Sequence, residues 1–154
     1  MESGIFSRLS ALGVQLPPAP AVVGNYVACR SENGLVFVSG QLPLGPGGPP
    51  IGKLGRDCEL DEGREAARRC GLNLLAQLHA HCGLDAVAGC TQLTGIVSAT
   101  PRFTKHPDVV DGASELMIDV FGEAGRHTRM AYGVASLPLG VPVEVAGIFP
   151  LRTP

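Results

Sequence analysis

The chain of 154 residues has no tryptophan, two tyrosines and five phenylalanines, which leaves few rings on which nucleobases could stack. It also lacks an excess of charge of either sign. Charged residues make up 17% and the formal net charge is −2, so nothing in the composition attracts a phosphate backbone or an anionic membrane surface. Nucleic acid and membranes are therefore not expected partners. No apolar run reaches the ~18 residues that a membrane-spanning helix needs. Met1 to Gly13 contains Glu2 and a single Arg8, and lacks the basic stretch followed by a long apolar one that marks a secretory signal. The cytoplasm is the expected location. The five cysteines are an odd number without a C-x-x-C pair, in a chain long enough to fold without cross-links. They read as reduced thiols packed as small hydrophobes.

What the sequence does have is 45% apolar residues, enough for one domain with a real core. Residues 1–154 read as that single domain, with residues 1–24 an N-terminal extension packed on or near the core. In the extension, Ser7 to Leu12 suits a short amphipathic helix, and Leu16-Pro17-Pro18-Ala19-Pro20 must be extended because proline blocks helix. Tyr26 to Arg30 and Leu35 to Ser39 are β-prone runs separated by Ser31-Glu32-Asn33-Gly34. An Asn-Gly pair in that position predicts a hairpin, since both residues tolerate positive φ. Leu44 to Gly55 is rich in glycine and proline and reads as a surface loop. Its Gly52-Lys53 does not make a phosphate cradle, because Pro46, Pro49 and Pro50 remove backbone donors and no Ser or Thr follows the lysine.

Leu60 to Cys82 is the best-marked helix. Asp61 and Glu62 suit the positive end of its dipole. Ala67, Cys70, Leu74, Leu78 and Cys82 recur at three- and four-residue spacing as one apolar stripe, and Gly83 ends the helix. Arg64, Glu65, Arg68, Arg69 and Gln77 populate much of the remaining surface. Val87 to Ser98 reads as a strand and Val109 to Phe121 as a second helix, with Gly122 and Gly125 after it. Arg129 to Ser136 and Val143 to Phe149 read as the closing strands, turned by Leu137-Pro138-Leu139-Gly140. The order β-β-α-β-α-β-β predicts an α+β fold with two helices on one face of a five-stranded sheet. The other face carries apolar residues and needs a cover, which identical subunits would supply.

Three segments in this order carry a resemblance. Asn25-Tyr26 leads through the hairpin to Leu35-Val36-Phe37-Val38-Ser39-Gly40-Gln41; Arg129 stands eight residues before Leu137-Pro138; and Val143-Glu144-Val145 follows. Together they resemble the RidA/YjgF family, also labelled endoribonuclease L-PSP, over residues 25 to 148. The resemblance implies a chorismate-mutase-like subunit and a homotrimer with pockets between subunits. It also implies hydrolysis of 2-aminoacrylate-like enamines and imines to 2-oxo acids and ammonia, without metal or organic cofactor. The family's substrate-gripping arginine falls on Arg129 and its water-orienting glutamate on Glu144, as catalytic residues. Its pocket tyrosine falls on Tyr26 and its Ser-Gly pair on Ser39 and Gly40, as substrate-binding residues.

The chemistry of these residue types agrees. A guanidinium can hold a substrate carboxylate through two parallel hydrogen bonds. A carboxylate can hold a water for attack on an imine carbon. Glycine lets backbone N–H groups approach a ligand. Departures from the family's pattern are Ala131, where a cysteine is frequent, and the helix asparagine, whose place falls on either Ser114 or Asp111. Arg126 is a rival to Arg129, which strand alternation sets beside the small Ala131 and Gly133. His79 and His81 point about 200° apart on a helix and cannot share a metal there. His106 and His127 read as loop residues without an evident partner. Two other functions keep the same fold: a non-catalytic module binding a small carboxylate or a protein, and an RNA-cleaving or translation-inhibiting protein.

Overall fold

The Asn33-Gly34 pair fixes the first register of the sheet. Both residues take positive φ, 51° and 79°, and Glu32 pairs directly with Leu35 across them. A two-residue turn of this kind matches the twist of the strands it joins. It draws the pairing toward itself, so β1 is Cys29–Glu32 rather than Tyr26–Arg30, and β2 is Leu35–Gln41. Tyr26 to Ala28 stay outside the ladder. The computed structural model describes residues 4–154, beginning with α1 (Gly4–Ala11), whose Ile5 and Leu9 are buried.

The long helix α2 spans Leu60–Cys82, as the apolar spacing predicts. At its start the Glu59 N–H donates to the Glu62 carboxylate at 3.0 Å, satisfying a backbone donor that helix geometry leaves free. Ala67, Cys70, Leu74 and Leu78 are fully buried. Gln77, expected on the surface, is buried as well, and so is Asn73. Their amides bond the chain segments packed beside the helix, at Pro20, Leu42 and Leu44.

The remaining elements are β3 (Gln92–Ser98), α3 (His106–Phe121), β4 (Thr128–Val134) and β5 (Val143–Pro150). The strand predicted from Val87 begins only at Gln92. Before it, Val87 bridges to Leu151, and the Cys90 N–H turns to the Ala124 carbonyl. The sheet order is β1-β2-β5-β3-β4. All neighbours are antiparallel except β3 and β4, which run parallel with α3 as the crossover between them. This is the chorismate-mutase-like α+β fold the sequence predicts, and α1 is the short N-terminal helix expected at Ser7 to Leu12, set three residues earlier at its start.

The register assigns every strand residue a face. Val36, Val38, Leu93, Val97, Val143, Val145 and Phe149 are buried beneath α2 and α3. The Cys70 thiol of α2 reaches the Val143 carbonyl at 3.6 Å, and a Cβ on Gly95 would stand 2.5 Å from Val110 of α3. Both helices therefore lie on one face. On the other, Phe37, Met130 and Tyr132 are exposed, with half-buried Ile96 and Ile148 between them. Among the described residues, no helix is long and apolar enough to cross a membrane.

Candidate functional site

A β-bulge opens the first half of the site. The β2–β5 register shifts between Val38 and Gln41, which places Gly40 against the side chain of Glu144. A Cβ on Gly40 would stand 2.9 Å from Glu144 Oε1, so only glycine leaves the carboxylate where it is. Tyr26, Gly40 and Glu144 line one cavity of about 290 Å³, walled by Val22, Val23, Leu42 and Leu139. Tyr26 is half exposed at its edge. Leu139 holds φ 58°, a conformation that costs a non-glycine residue energy and projects its side chain at the rim.

Polar side chains of α2 hold these walls in place. The Gln77 amide donates to the Pro20 carbonyl at 2.7 Å and to Gln41 Oε1 at 3.3 Å. The Asn73 amide donates to the carbonyls of Leu42 and Leu44 at 2.9 and 3.1 Å. Ser39 has a structural task beside the pocket. Its hydroxyl donates to the Val27 carbonyl at 2.7 Å, and its N–H donates to Ala28 at 2.9 Å, which straps the Tyr26 segment to β2.

Glu144 accepts no hydrogen bond from the described residues, and burial raises its pKa above the ordinary 4.5. Gly40→Ala is expected to displace this carboxylate, and because only the Glu144 side chain has to give way, to cost less than about 1 kcal/mol of stability, read as a small change in thermal midpoint. The five thiols are all free. Burial pushes the pKa of Cys29 and Cys58 up to about 11 and that of Cys90 to about 12, so none is a ready nucleophile.

Arg129 forms a second, separate half. It pairs with Leu93, and Leu93 with Gly147, so its side chain belongs to the helix-facing row. Glu144 pairs with Ile96, and Ile96 with Tyr132, in the uncovered row. Within one chain, the guanidinium and the carboxylate thus lie on opposite faces of the sheet. Arg129 Nη1 donates to Asp111 Oδ1 at 2.7 Å and to Ser114 Oγ at 3.1 Å. Both candidates for the helix asparagine therefore touch it. The rival Arg126 pairs with its neighbour Glu123 at 3.1 Å and stays at the surface.

Two histidines differ from their reading as unpartnered loop residues. His106 is the first residue of α3, packs edge-on against Phe103, and fills the space over Gly133, where a Cβ would meet its Nε2 at 2.5 Å. Of the small residues beside Arg129, Gly133 therefore leaves no open space. His127 bonds the Gly125 carbonyl through Nδ1 at 2.7 Å and Ser114 Oγ through Nε2 at 2.8 Å. Its role was not visible in the sequence, because the turn that folds it back onto α3 carries no spacing signal. His79 accepts the Leu84 N–H at 3.2 Å, and His81 bonds Ser31 at 2.8 Å.

Comparison with known proteins places this architecture. The family model described as YjgF/chorismate mutase-like, putative endoribonuclease matches residues 6–147. The chain belongs to the YjgF family. Protein TCP17 of Trypanosoma cruzi is 42% identical over 151 residues, covering 96% of this chain and 94% of its own. A putative endoribonuclease from Shewanella oneidensis shares the YjgF fold at a TM-score of 0.90 and 36% identity, covering 95% of this chain and 98% of its own. Atu1372 of Agrobacterium tumefaciens, a protein of unknown function, superposes at a TM-score of 0.87 with 38% identity, covering 97% and 93%. The YjgF match starts at residue 6, so α1 falls largely within it.

Proposed function

We propose that this YjgF-family protein is an enamine/imine deaminase that hydrolyses 2-aminoacrylate-like intermediates to 2-oxo acids and ammonia. It acts as a homotrimer in which Arg129 of one copy completes the pocket of Tyr26, Gly40 and Glu144 on the next. The observation that supports this reading is the split between the two halves of the site. A carboxylate-binding arginine and a carboxylate able to hold water are both present, on opposite sheet faces. One small ligand reaches both only where two copies meet. The uncovered face bearing Phe37, Met130 and Tyr132 supplies the apolar surface for such a meeting.

The chemistry follows from the groups. An enamine first takes a proton from solvent at its methylene carbon and becomes the protonated imine. Arg129 holds the substrate carboxylate in two parallel bonds, which fixes the imine carbon relative to Glu144. Glu144 takes a proton from a bound water as its oxygen bonds that carbon, and the C=N electron pair moves to nitrogen, which becomes a neutral amine. The proton on Glu144 then passes to that nitrogen, the C–N bond breaks as the hydroxyl oxygen forms C=O, the hydroxyl proton goes to the departing ammonia, and ammonium and the 2-oxo acid leave. Glu144 ends ionised, as it began.

The test is ammonia and 2-oxo acid release from imines formed in situ by an amino-acid oxidase, with wild type and Arg129→Ala compared. Acceleration by wild type and a loss of about 10²-fold in kcat/KM on Arg129→Ala are expected. No acceleration over spontaneous hydrolysis for any imine would leave the non-catalytic binding module. Sedimentation should give three copies per particle, and a stable monomer would sink the shared pocket.

A further inference from the structure

Arg129 does not stand alone on its face of the sheet. It ends a chain of hydrogen bonds that runs from Gly125 through His127 and Ser114. The Gly125 carbonyl can only accept, so His127 Nδ1 carries a hydrogen toward it, and in the neutral form of the ring the Nε2 lone pair faces Ser114. In that form the Ser114 hydroxyl donates to His127, and its oxygen accepts from Arg129 Nη1. The second hydrogen of Nη1 goes to Asp111 Oδ1. Both hydrogens of that nitrogen are committed, while Nε and Nη2 have no hydrogen-bond partner among the described residues. Those two atoms form one edge of the guanidinium plane, with their N–H bonds parallel, which is the geometry a carboxylate accepts.

We propose that Ser114 and His127 are positioning residues that, together with Asp111, pin the Nη1 corner of Arg129 and so present its Nε–Nη2 edge to a 2-imino or 2-oxo carboxylate. The inference rests on the reading of Arg129 as the carboxylate-binding group. An arginine is long and loses much rotational freedom when it binds, and a side chain pinned beforehand has less to lose. Ser114 is buried, and the Arg129 side chain is 22% exposed, so the pinned corner is inside while part of the side chain still reaches solvent. Because Asp111 takes one hydrogen of Nη1 alone, it balances the charge without occupying the free edge.

The experiment measures 2-oxobutanoate binding by calorimetry, and turnover at saturating imine, for Ser114→Ala, Ser114→Thr, His127→Leu and Arg129→Ala. Ser114→Ala is expected to weaken 2-oxobutanoate about tenfold with turnover within about twofold of wild type. Ser114→Thr, which keeps the hydroxyl, should restore affinity, and His127→Leu should weaken it about threefold by freeing the hydroxyl to turn. Wild-type affinity in folded Ser114→Ala, with binding lost in Arg129→Ala, overturns the positioning role and leaves the carboxylate reading intact. Undiminished binding in Arg129→Ala overturns that reading itself. Should Ser114→Ala fail to fold, His127→Leu decides on the same terms, since unchanged affinity there refutes the chain of bonds.

Discussion

Glu144→Gln is expected to lower kcat for imine hydrolysis by about 10²–10³-fold while KM stays within roughly threefold, because the amide keeps the shape but cannot take a proton from water. The pH dependence sharpens this expectation. Burial raises the Glu144 pKa, and the base is useful only when ionised. Activity of the wild type should fall as pH drops through a limb set above the value of an unperturbed glutamate, and the residual activity of Glu144→Gln should lack that limb.

The same shift has a consequence for stability, with a definite sign. Folding raises the Glu144 pKa, so the native state holds this proton more tightly than the unfolded chain. Its contribution is fully present in acid, below the unfolded value, and is lost as pH rises through the raised one. At neutral pH the ionised, partly desolvated carboxylate is a cost that glutamine removes. Glu144→Gln should therefore raise the thermal midpoint at neutral pH, and the gain should vanish in acid. A lower midpoint at neutral pH would mean that the carboxylate is paired for structure, and the catalytic assignment would lose its physical basis.

Much of this fold was legible because local rules and tertiary demands agree. The stripe from Ala67 to Leu78 gave α2 its span, and Asn33-Gly34 gave the hairpin. Where the two diverged, long-range packing won. Tyr26 to Ala28 have β-prone side chains, yet the two-residue turn moves β1 past them, and the hydroxyl of Ser39 straps them beside the pocket instead. Gln77 reads as a surface residue from its neighbours, but its amide satisfies the Pro20 carbonyl, a contact set by the extended N-terminal segment. Of the site residues, Tyr26, Gly40 and Glu144 do line one cavity. Strand alternation alone could not reveal that Arg129 lies on the other face, because the pairing between β3, β4 and β5 decides it.

That separation yields a prediction with the largest contrast. Arg129→Ala and Glu144→Gln should each be nearly inactive alone, and co-expressing the two variants should restore activity. In a randomly assorted homotrimer each shared site takes its arginine from one subunit and its glutamate from the next. Each is intact half the time, so about a quarter of the sites should work in the whole population, and about one in three in trimers that contain both variants. Purification through two different tags would isolate mixed trimers, and imine hydrolysis would read the outcome. Were both groups to act from one chain, every subunit would carry one defect, and mixing would leave activity at the level of the single variants. Repair is the expected outcome because, within one chain, the sheet itself stands between Arg129 and Glu144.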